Sequence, residues 1–178
     1  MRKLHTYELG RPDIDAALHS PKLPVALVLD NIRSALNVGS IFRSADALGA
    51  ARLVLCGITA CPPHREILKT ALGSTASVNW MYCETTEDAL RRLKANGYRL
   101  WAAEQTDAST PLHHWRPHAN TPCAIVLGNE VSGVSDEALA LCDGALEIPQ
   151  FGAKHSLNVA VAAGVILWEA ARQLKLGD

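Results

Sequence analysis

Residues 148–174, IPQFGAKHSLNVAVAAGVILWEAARQL, contain a glycine-bearing turn, a polar triplet and a long apolar run. Ser156 stands where a helix N-cap belongs, because its hydroxyl can accept a hydrogen bond from the free N–H groups of a first turn. The alanines and the glycine of the run predict a slim helix that packs closely. The stretch therefore predicts a buried helix that starts beside a hydroxyl, an amide and an imidazole. The apolar residues at helical spacing on one face are Leu157, Val161, Val165 and Trp168.

Upstream of this stretch, short apolar runs alternate with helical patterns. The run at 24–30 is continuously apolar, which is typical of a strand buried on both faces. Alternating strands and helices favour βαβ units, a parallel sheet and an α/β fold. We predict a short N-terminal lead over 1–22 and one domain over 23–178. Predicted strands are 24–30, 52–56, 79–83, 98–103, 123–127 and 145–148, and predicted helices are 40–48, 66–72, 86–96 and 135–142, with Thr86 and Ser135 as caps.

The composition narrows the class of protein. A chain of 178 residues can bury a hydrophobic core without needing disulfides or a structural metal. Its net charge of −1 argues against a non-specific nucleic-acid binder, which is normally basic. There is no apolar run of membrane length and no apolar core near the N-terminus, so we expect a cytoplasmic protein. The five cysteines form no CxxC pair and are expected to be reduced.

Three polar loops that contain glycine follow predicted strands, after Asp30, Leu127 and Pro149. In parallel sheets, ligands bind beyond the carboxyl ends of the strands. There is no phosphate-binding glycine loop of the Walker or dinucleotide type, and a carboxylate at Glu130 would repel phosphate. The GxSxG sequence of serine hydrolases is absent. Prolines break the segment that holds the histidine cluster around His113, so no metal site is predicted.

What remains is a set of polar residues suited to an adenosine-like ligand and a polar acceptor. Arg43 is charged at any physiological pH, so it suits a phosphate or a developing oxyanion, although a surface helix arginine is an alternative interpretation. Asn31 and Asn37, taken alone, are also ordinary turn residues. The set comprises Asn31, Asn37, Arg43, Glu130, Ser156 and Asn158.

Together the three loops resemble the motifs of SpoU/TrmH-type RNA 2′-O-ribose methyltransferases of the SPOUT superfamily. The first motif is DNIRSALNVGSIFRSADALGA at 30–50, and the second is IVLGNEVSGVSDEAL at 125–139. The third is IPQFGAKHSLNVAVAAGVILWEA at 148–170. Three long motifs in the same order and spacing are far more specific than a short pattern. The resemblance covers 24–174.

The resemblance implies a parallel sheet with a deep C-terminal trefoil knot, S-adenosylmethionine as cofactor and no metal. It also implies a homodimer through the C-terminal helix and the knot, with Arg43 close to the partner's site. The substrate is expected to be tRNA or rRNA, and no membrane is involved. The residues implied to bind the cofactor are Ala103, Leu127, Gly128, Asn129, Ile148, Ser156 and Leu157.

The resemblance further implies a catalytic group and an RNA-binding group. Arg43 is expected to orient the ribose hydroxyl, with its role as a general base left open because arginine hardly deprotonates. A base-methylating SPOUT enzyme and a non-catalytic RNA-binding or assembly protein are the alternatives. Catalytic candidates are Arg43, Asn37, Glu130, Ser156 and Asn158, and substrate-binding candidates are Asn31, Arg33 and Arg43. Further candidate RNA contacts, with solvated surface charges as the alternative interpretation, are Arg65, Lys69, Arg91, Arg92, Arg116 and Lys154. The loop with His113, His114 and Trp115 could stack bases, although Trp115 could equally belong to the core.

Overall fold

A computed structural model describes residues 1–153 and 155–176. Seven strands form one sheet: β1 (Leu23–Asp30), β2 (Ala50–Cys56), β3 (Trp80–Cys83), β4 (Arg99–Ala103), β5 (Thr110–Pro111), β6 (Cys123–Leu127) and β7 (Gly144–Glu147). Their order is β3-β2-β1-β6-β4-β7-β5, and the paired strands are parallel. The predicted α/β fold with a parallel sheet is confirmed, and the knot stays a prediction from the resemblance.

Helices cover both faces of this sheet. Alternate residues of β1 point to opposite faces, so Leu27 belongs to one core and Val28 to the other. Helices α2, α3 and α6 pack on the Leu27 side, whereas α4 and α5 pack on the Val28 side. The helices are α1 (Ile14–His19), α2 (Ala35–Leu48), α3 (Arg65–Ala71), α4 (Thr86–Ala95), α5 (Asp136–Leu139) and α6 (Val159–Ala171).

Helix α2 begins five residues earlier than its predicted start at residue 40. Ser34 is the N-cap, and its hydroxyl accepts a hydrogen bond from the N–H of Asn37 at 3.3 Å. Asn37 and Gly39 therefore lie inside the helix and not in a loop. Gly39 allows α2 to approach α3, because a Cβ at this position would lie 2.3 Å from the Ile67 carbonyl oxygen.

Helix α6 differs from its prediction in both its start and its buried face. Its N-cap is Asn158, whose side chain accepts from the N–H of Ala160 at 2.9 Å, so Ser156 lies before the helix. The predicted apolar face is exposed, and Trp168 is 53% accessible. The helix is apolar on almost every side, so periodicity could not identify the side that meets the sheet. The buried side consists of Ala163, Ile166, Leu167, Ala170 and Ala171.

Two smaller predictions were also wrong. Thr86 is not a cap: the N-cap of α4 is Thr85, while Thr86 is buried in the first turn. The segment 104–122, for which we predict neither a strand nor a helix, contains the edge strand β5 and a single 3₁₀ turn. Trp115 follows that turn and is buried against Trp101 in an edge-to-face contact, so it belongs to the core.

Candidate functional site

A cavity of about 650 Å³ lies beyond the carboxyl ends of β4, β6 and β7, with the start of α6 as one wall. Its position is the one that ligands occupy in open parallel sheets. Glu130 and Asn158 line it as well as the seven residues implied to bind the cofactor. Those seven are Ala103, Leu127, Gly128, Asn129, Ile148, Ser156 and Leu157.

A tight turn after β6 forms one wall of the cavity. Asn129 and Gly133 exchange two backbone hydrogen bonds of 2.9 Å, and the Asn129 side-chain oxygen accepts from the N–H of Val131 at 2.9 Å. Gly128 has to be glycine, because a Cβ there would lie 2.1 Å from the carbonyl carbon of Gly133. The turn is therefore closed and compact, and a side chain at position 128 would force it open.

The first motif is held against this turn through Asn31. The side-chain amide of Asn129 donates to the backbone oxygen of Asn31 at 2.7 Å. Asn31 has a φ of 54°, a left-handed conformation that asparagine tolerates better than most residues. Its side-chain oxygen accepts from the N–H of Ile58 at 3.2 Å. Asn31 does not line the cavity, so its contacts support a positioning role within this chain.

Behind the cavity wall, the carboxylate of Asp30 accepts four hydrogen bonds although the residue is only 1% exposed. The side chains of Asn31 and Thr86 donate to one oxygen at 2.9 and 2.6 Å. The backbone N–H and the hydroxyl of Ser135 donate to the other, both at 2.8 Å. Ser135 thus makes no side-chain cap for α5. The sequence analysis did not predict this network. Its one signal was Asp30 itself, a charged residue at the end of an otherwise apolar strand.

The carboxylate of Glu130 sits on the N-terminus of α2. It accepts hydrogen bonds from the N–H groups of Arg33 (2.9 Å) and Ser34 (3.1 Å) and from the amide of Asn37 (2.9 Å). Burial acts to raise the pKa of Glu130, but these hydrogen bonds outweigh it and the pKa lies below its ordinary value. A negative charge also suits the positive end of the helix dipole. Glu130 therefore anchors the second motif to the first.

The third motif joins the same chain of hydrogen bonds. The amide of Asn158 donates to the side-chain oxygen of Asn37 at 3.1 Å, while Asn37 donates to Glu130. Asn37 itself does not line the cavity, whereas Glu130 and Asn158 do. The three motifs are thus connected side chain to side chain at the edge of the cavity.

The arginines of the first motif lie outside this arrangement. Arg43 is exposed on α2, and within residues 1–153 and 155–176 it makes no hydrogen bond or ion pair and does not line the cavity. The side chain of Arg33 is also exposed, and only its backbone N–H contacts Glu130. The fold therefore leaves these two arginines apart from the cavity. The other five catalytic or substrate candidates line the cavity or are hydrogen-bonded to residues that line it, and they are Asn31, Asn37, Glu130, Ser156 and Asn158.

Acidic residues dominate the charge of the cavity. Four carboxylates line it, and its lining in the described part of the chain includes no lysine or arginine. Glu104 directly follows β4 and accepts from the N–H of Val134 at 3.1 Å, while Glu147 ends β7 and accepts from the hydroxyl of Ser109 at 2.9 Å. Such a site favours a cationic ligand and disfavours phosphate. The carboxylates are Glu104, Glu130, Asp136 and Glu147.

The other predicted RNA contacts do not form one patch. Arg65 and Lys69 are on α3, whereas Arg91 and Arg92 are on α4 across the sheet. The guanidinium of Arg116 donates to the backbone oxygens of His113 and Trp115. Lys154 lies outside the described residues.

The rings of His113 and His114 are 4.1 Å apart. In the described ranges, no three histidine, cysteine or acidic side chains are grouped to hold a metal ion. None of the helices in those ranges has the length and apolarity that a membrane crossing requires.

Known proteins resemble this chain in both sequence and fold. The model of the SpoU rRNA Methylase family matches residues 24–168. A tRNA (guanosine(18)-2′-O)-methyltransferase of Thermus thermophilus is 35% identical over 175 residues, which are 96% of this chain and 86% of that protein. A 23S rRNA (guanosine-2′-O-)-methyltransferase of Vibrio parahaemolyticus is 32% identical over 167 residues, 93% of this chain and 66% of that protein.

A solved structure agrees with these relatives. The AdoMet-bound rRNA methyltransferase from Sinorhizobium meliloti superposes with a TM-score of 0.78 at 30% identity. The match covers 92% of this chain and 61% of that one, so this chain spans less than two thirds of some relatives. Fold, motifs and family match agree along almost the whole chain. The chain belongs to the SpoU rRNA methylase family.

Proposed function

We propose that this chain transfers a methyl group from S-adenosylmethionine to a ribose 2′-hydroxyl of tRNA or rRNA. The observation that carries the proposal is the cavity beyond β4, β6 and β7, which the second and third motifs line and to which the first motif is joined by hydrogen bonds of Asn37 to Glu130 and Asn158. Relatives named as RNA 2′-O-methyltransferases match nearly the full chain. RNA as substrate and five free cysteines support a cytoplasmic location.

The cavity fits S-adenosylmethionine in size and charge. A volume of about 650 Å³ lies within the range of small-molecule sites. The sulfonium and ammonium groups of this cofactor are cationic, and four carboxylates line the cavity. Glycine at 128 keeps the turn compact enough for its backbone to face the ligand. S-adenosylmethionine supplies a methyl group that its sulfonium has already activated, so the task of the protein is alignment.

The exposed side of α6 supports a homodimer. Val161, Val165 and Trp168 form an apolar stripe on the side of α6 that faces away from the sheet. Helix α2 packs next to α6, since a Cβ at Gly164 would lie 3.8 Å from the hydroxyl oxygen of Ser44. Arg43 is exposed on α2, on the same face of the sheet. We propose that two copies pair through the α6 stripe and that each supplies Arg43 to its partner's cavity.

In this arrangement the residues of the chain have distinct roles. The positive charge of Arg43 orients the 2′-hydroxyl and stabilises the negative charge that develops on its oxygen. Arginine hardly deprotonates in proteins, so its charge supports stabilisation better than proton removal. Glu130 and Asn158 hold α2 and α6 at the cavity through Asn37, which fixes the geometry that methyl transfer requires.

The test compares RNA from cells with and without the gene, digested to nucleosides and analysed by mass spectrometry. We expect one 2′-O-methylnucleoside to be lost and to return with the wild type but not with Arg43→Ala. Arg11→Ala, which removes an exposed arginine in the N-terminal segment, is the matched control and should restore the nucleoside.

Two results would replace the proposal. A methyl group lost from a base would indicate a base-methylating enzyme. S-adenosylmethionine binding without any lost methylation would indicate a non-catalytic RNA-binding or assembly protein.

A further inference from the structure

Two apolar side chains of the segments that line the cavity are exposed to solvent. Phe151 is 99% exposed and Val131 is 77% exposed. Val131 lines the cavity, and Phe151 lies in a loop whose residues Gln150 and Ser156 line it. We call Phe151 and Val131 the apolar rim. Apolar side chains beside a ligand cavity are available to contact the part of a ligand that reaches them.

The rim residues are held by short, hydrogen-bonded turns. Val131 lies at the tip of the turn that Asn129 and Gly133 close with two backbone bonds. In the other loop, the backbone oxygen of His155 accepts from the amides of Gln105 at 2.7 Å and Gln150 at 3.5 Å. The two apolar side chains are therefore presented from anchored loops.

We infer that the apolar rim contacts the nucleobase of the acceptor nucleotide, with Phe151 stacking on the base. The inference rests on the proposed function. In a nucleotide the base is attached to C1′, the ring carbon next to the one that bears the 2′-hydroxyl. When that hydroxyl reaches into the cavity, its base must lie at the mouth. An aromatic ring is the usual protein partner of an unstacked RNA base.

The charge of the cavity supports the same assignment. Four carboxylates line the cavity, so the phosphates flanking the acceptor are repelled from it. The neutral base is the part of the nucleotide that can approach this mouth without an electrostatic cost. Stacking depends little on which base is present, so the rim would strengthen RNA binding more than it selects a sequence.

The experiment uses the full-length protein with total tRNA and with rRNA, each prepared from cells that lack the gene. Phe151→Ala should raise KM for RNA by about 5- to 150-fold, which is the range that stacking on one base is worth. The kcat at saturating RNA and the affinity for S-adenosylmethionine should remain within about threefold of wild type, because the change removes binding only. Phe151→Trp should restore KM.

Controls and a binding measurement separate this inference from the proposed function. Ile14→Ala removes an exposed apolar side chain of α1 outside the cavity lining and should change nothing. RNA affinity is also measured by filter binding with S-adenosylhomocysteine present. If the wild type transfers no methyl group, the proposed function fails, yet weaker RNA binding by Phe151→Ala would still support the rim.

Two results would overturn the inference. One is unchanged RNA affinity of Phe151→Ala in that binding assay. The other is conversion of Phe151→Ala to a monomer in sedimentation, because the side chain would then belong to a protein interface.

Discussion

The apolar stripe on α6 gives the sharpest quantitative expectation, which is that Trp168→Ala weakens the homodimer. Trp168 is 53% exposed in the single chain. Large aromatic side chains bury about 150–250 Å² each, so about 100 Å² of Trp168 per protomer is available for a partner to cover. For two copies, at about 25 cal/mol per Å², this amounts to about 5 kcal/mol, an upper value because association has its own costs. We expect a loss of about 2–5 kcal/mol, which raises the dimer dissociation constant at least about 30-fold.

Sedimentation velocity over a concentration series measures this change directly. Trp80→Ala is the matched control, because Trp80 is a partly exposed tryptophan on the edge strand β3 and not on α6.

Mixing two inactive variants, Arg43→Ala and Gly128→Ala, tests whether the site is shared between protomers. A mixed dimer contains one cavity with Gly128 and the partner's Arg43 both intact, so the mixture should regain activity. A fully active monomeric Trp168→Ala protein would refute the reasoning, as would an unchanged dissociation constant.

Three further outcomes follow from the contacts around the cavity. Asp30→Ala leaves buried donors unpaired, which should cost about 3–5 kcal/mol and lower Tm by about 6–20 °C in a thermal melt, whereas the exposed Asp15→Ala should leave Tm unchanged. Gly128→Ala should abolish S-adenosylmethionine binding in calorimetry, because its Cβ would collide with the backbone of Gly133; measurable affinity would contradict this. The lowered pKa of Glu130 stabilises the fold above the ordinary carboxyl pKa of 4.5, and this stability is lost as pH falls through the lowered value. Glu130→Gln should therefore flatten the acid limb of the stability curve, and an unaltered limb would show that the carboxylate contributes nothing.

The sheet could be predicted because its signals are local. Strands such as β6 are continuous apolar runs bounded by polar residues, and the structure places β6 at the predicted bounds, Cys123–Leu127. The start of α2 could not be predicted in the same way. Its N-cap Ser34 is a local signal, but the backbone N–H groups of Arg33 and Ser34, just before the helix, donate to Glu130, a side chain 96 residues away in sequence from Ser34. Local cap patterns contain no trace of such a partner.

The cavity was predictable only through the three motifs taken together. Their resemblance to a family assigned seven cofactor residues, and all seven line the cavity. The burial of α6 was not predictable, because an almost wholly apolar helix gives no contrast between its faces. The edge strand β5 was missed because two residues are too short for any periodicity. Arg43 remains apart from the cavity of its own chain, which a single sequence cannot reveal.

The connection between Glu130, Asn37 and Asn158 also constrains the order in which the molecule can mature. Asn37 and Glu130 are 93 residues apart in sequence, and Asn37 and Asn158 are 121 apart. Contacts of such long range form late, because the intervening chain must be ordered first. During synthesis Asn37 can therefore make both of these hydrogen bonds only after α6 has left the ribosome. A nascent chain that has not yet released α6 lacks one wall of the cavity, so binding of the cofactor requires that both the first and the third motif have been synthesised.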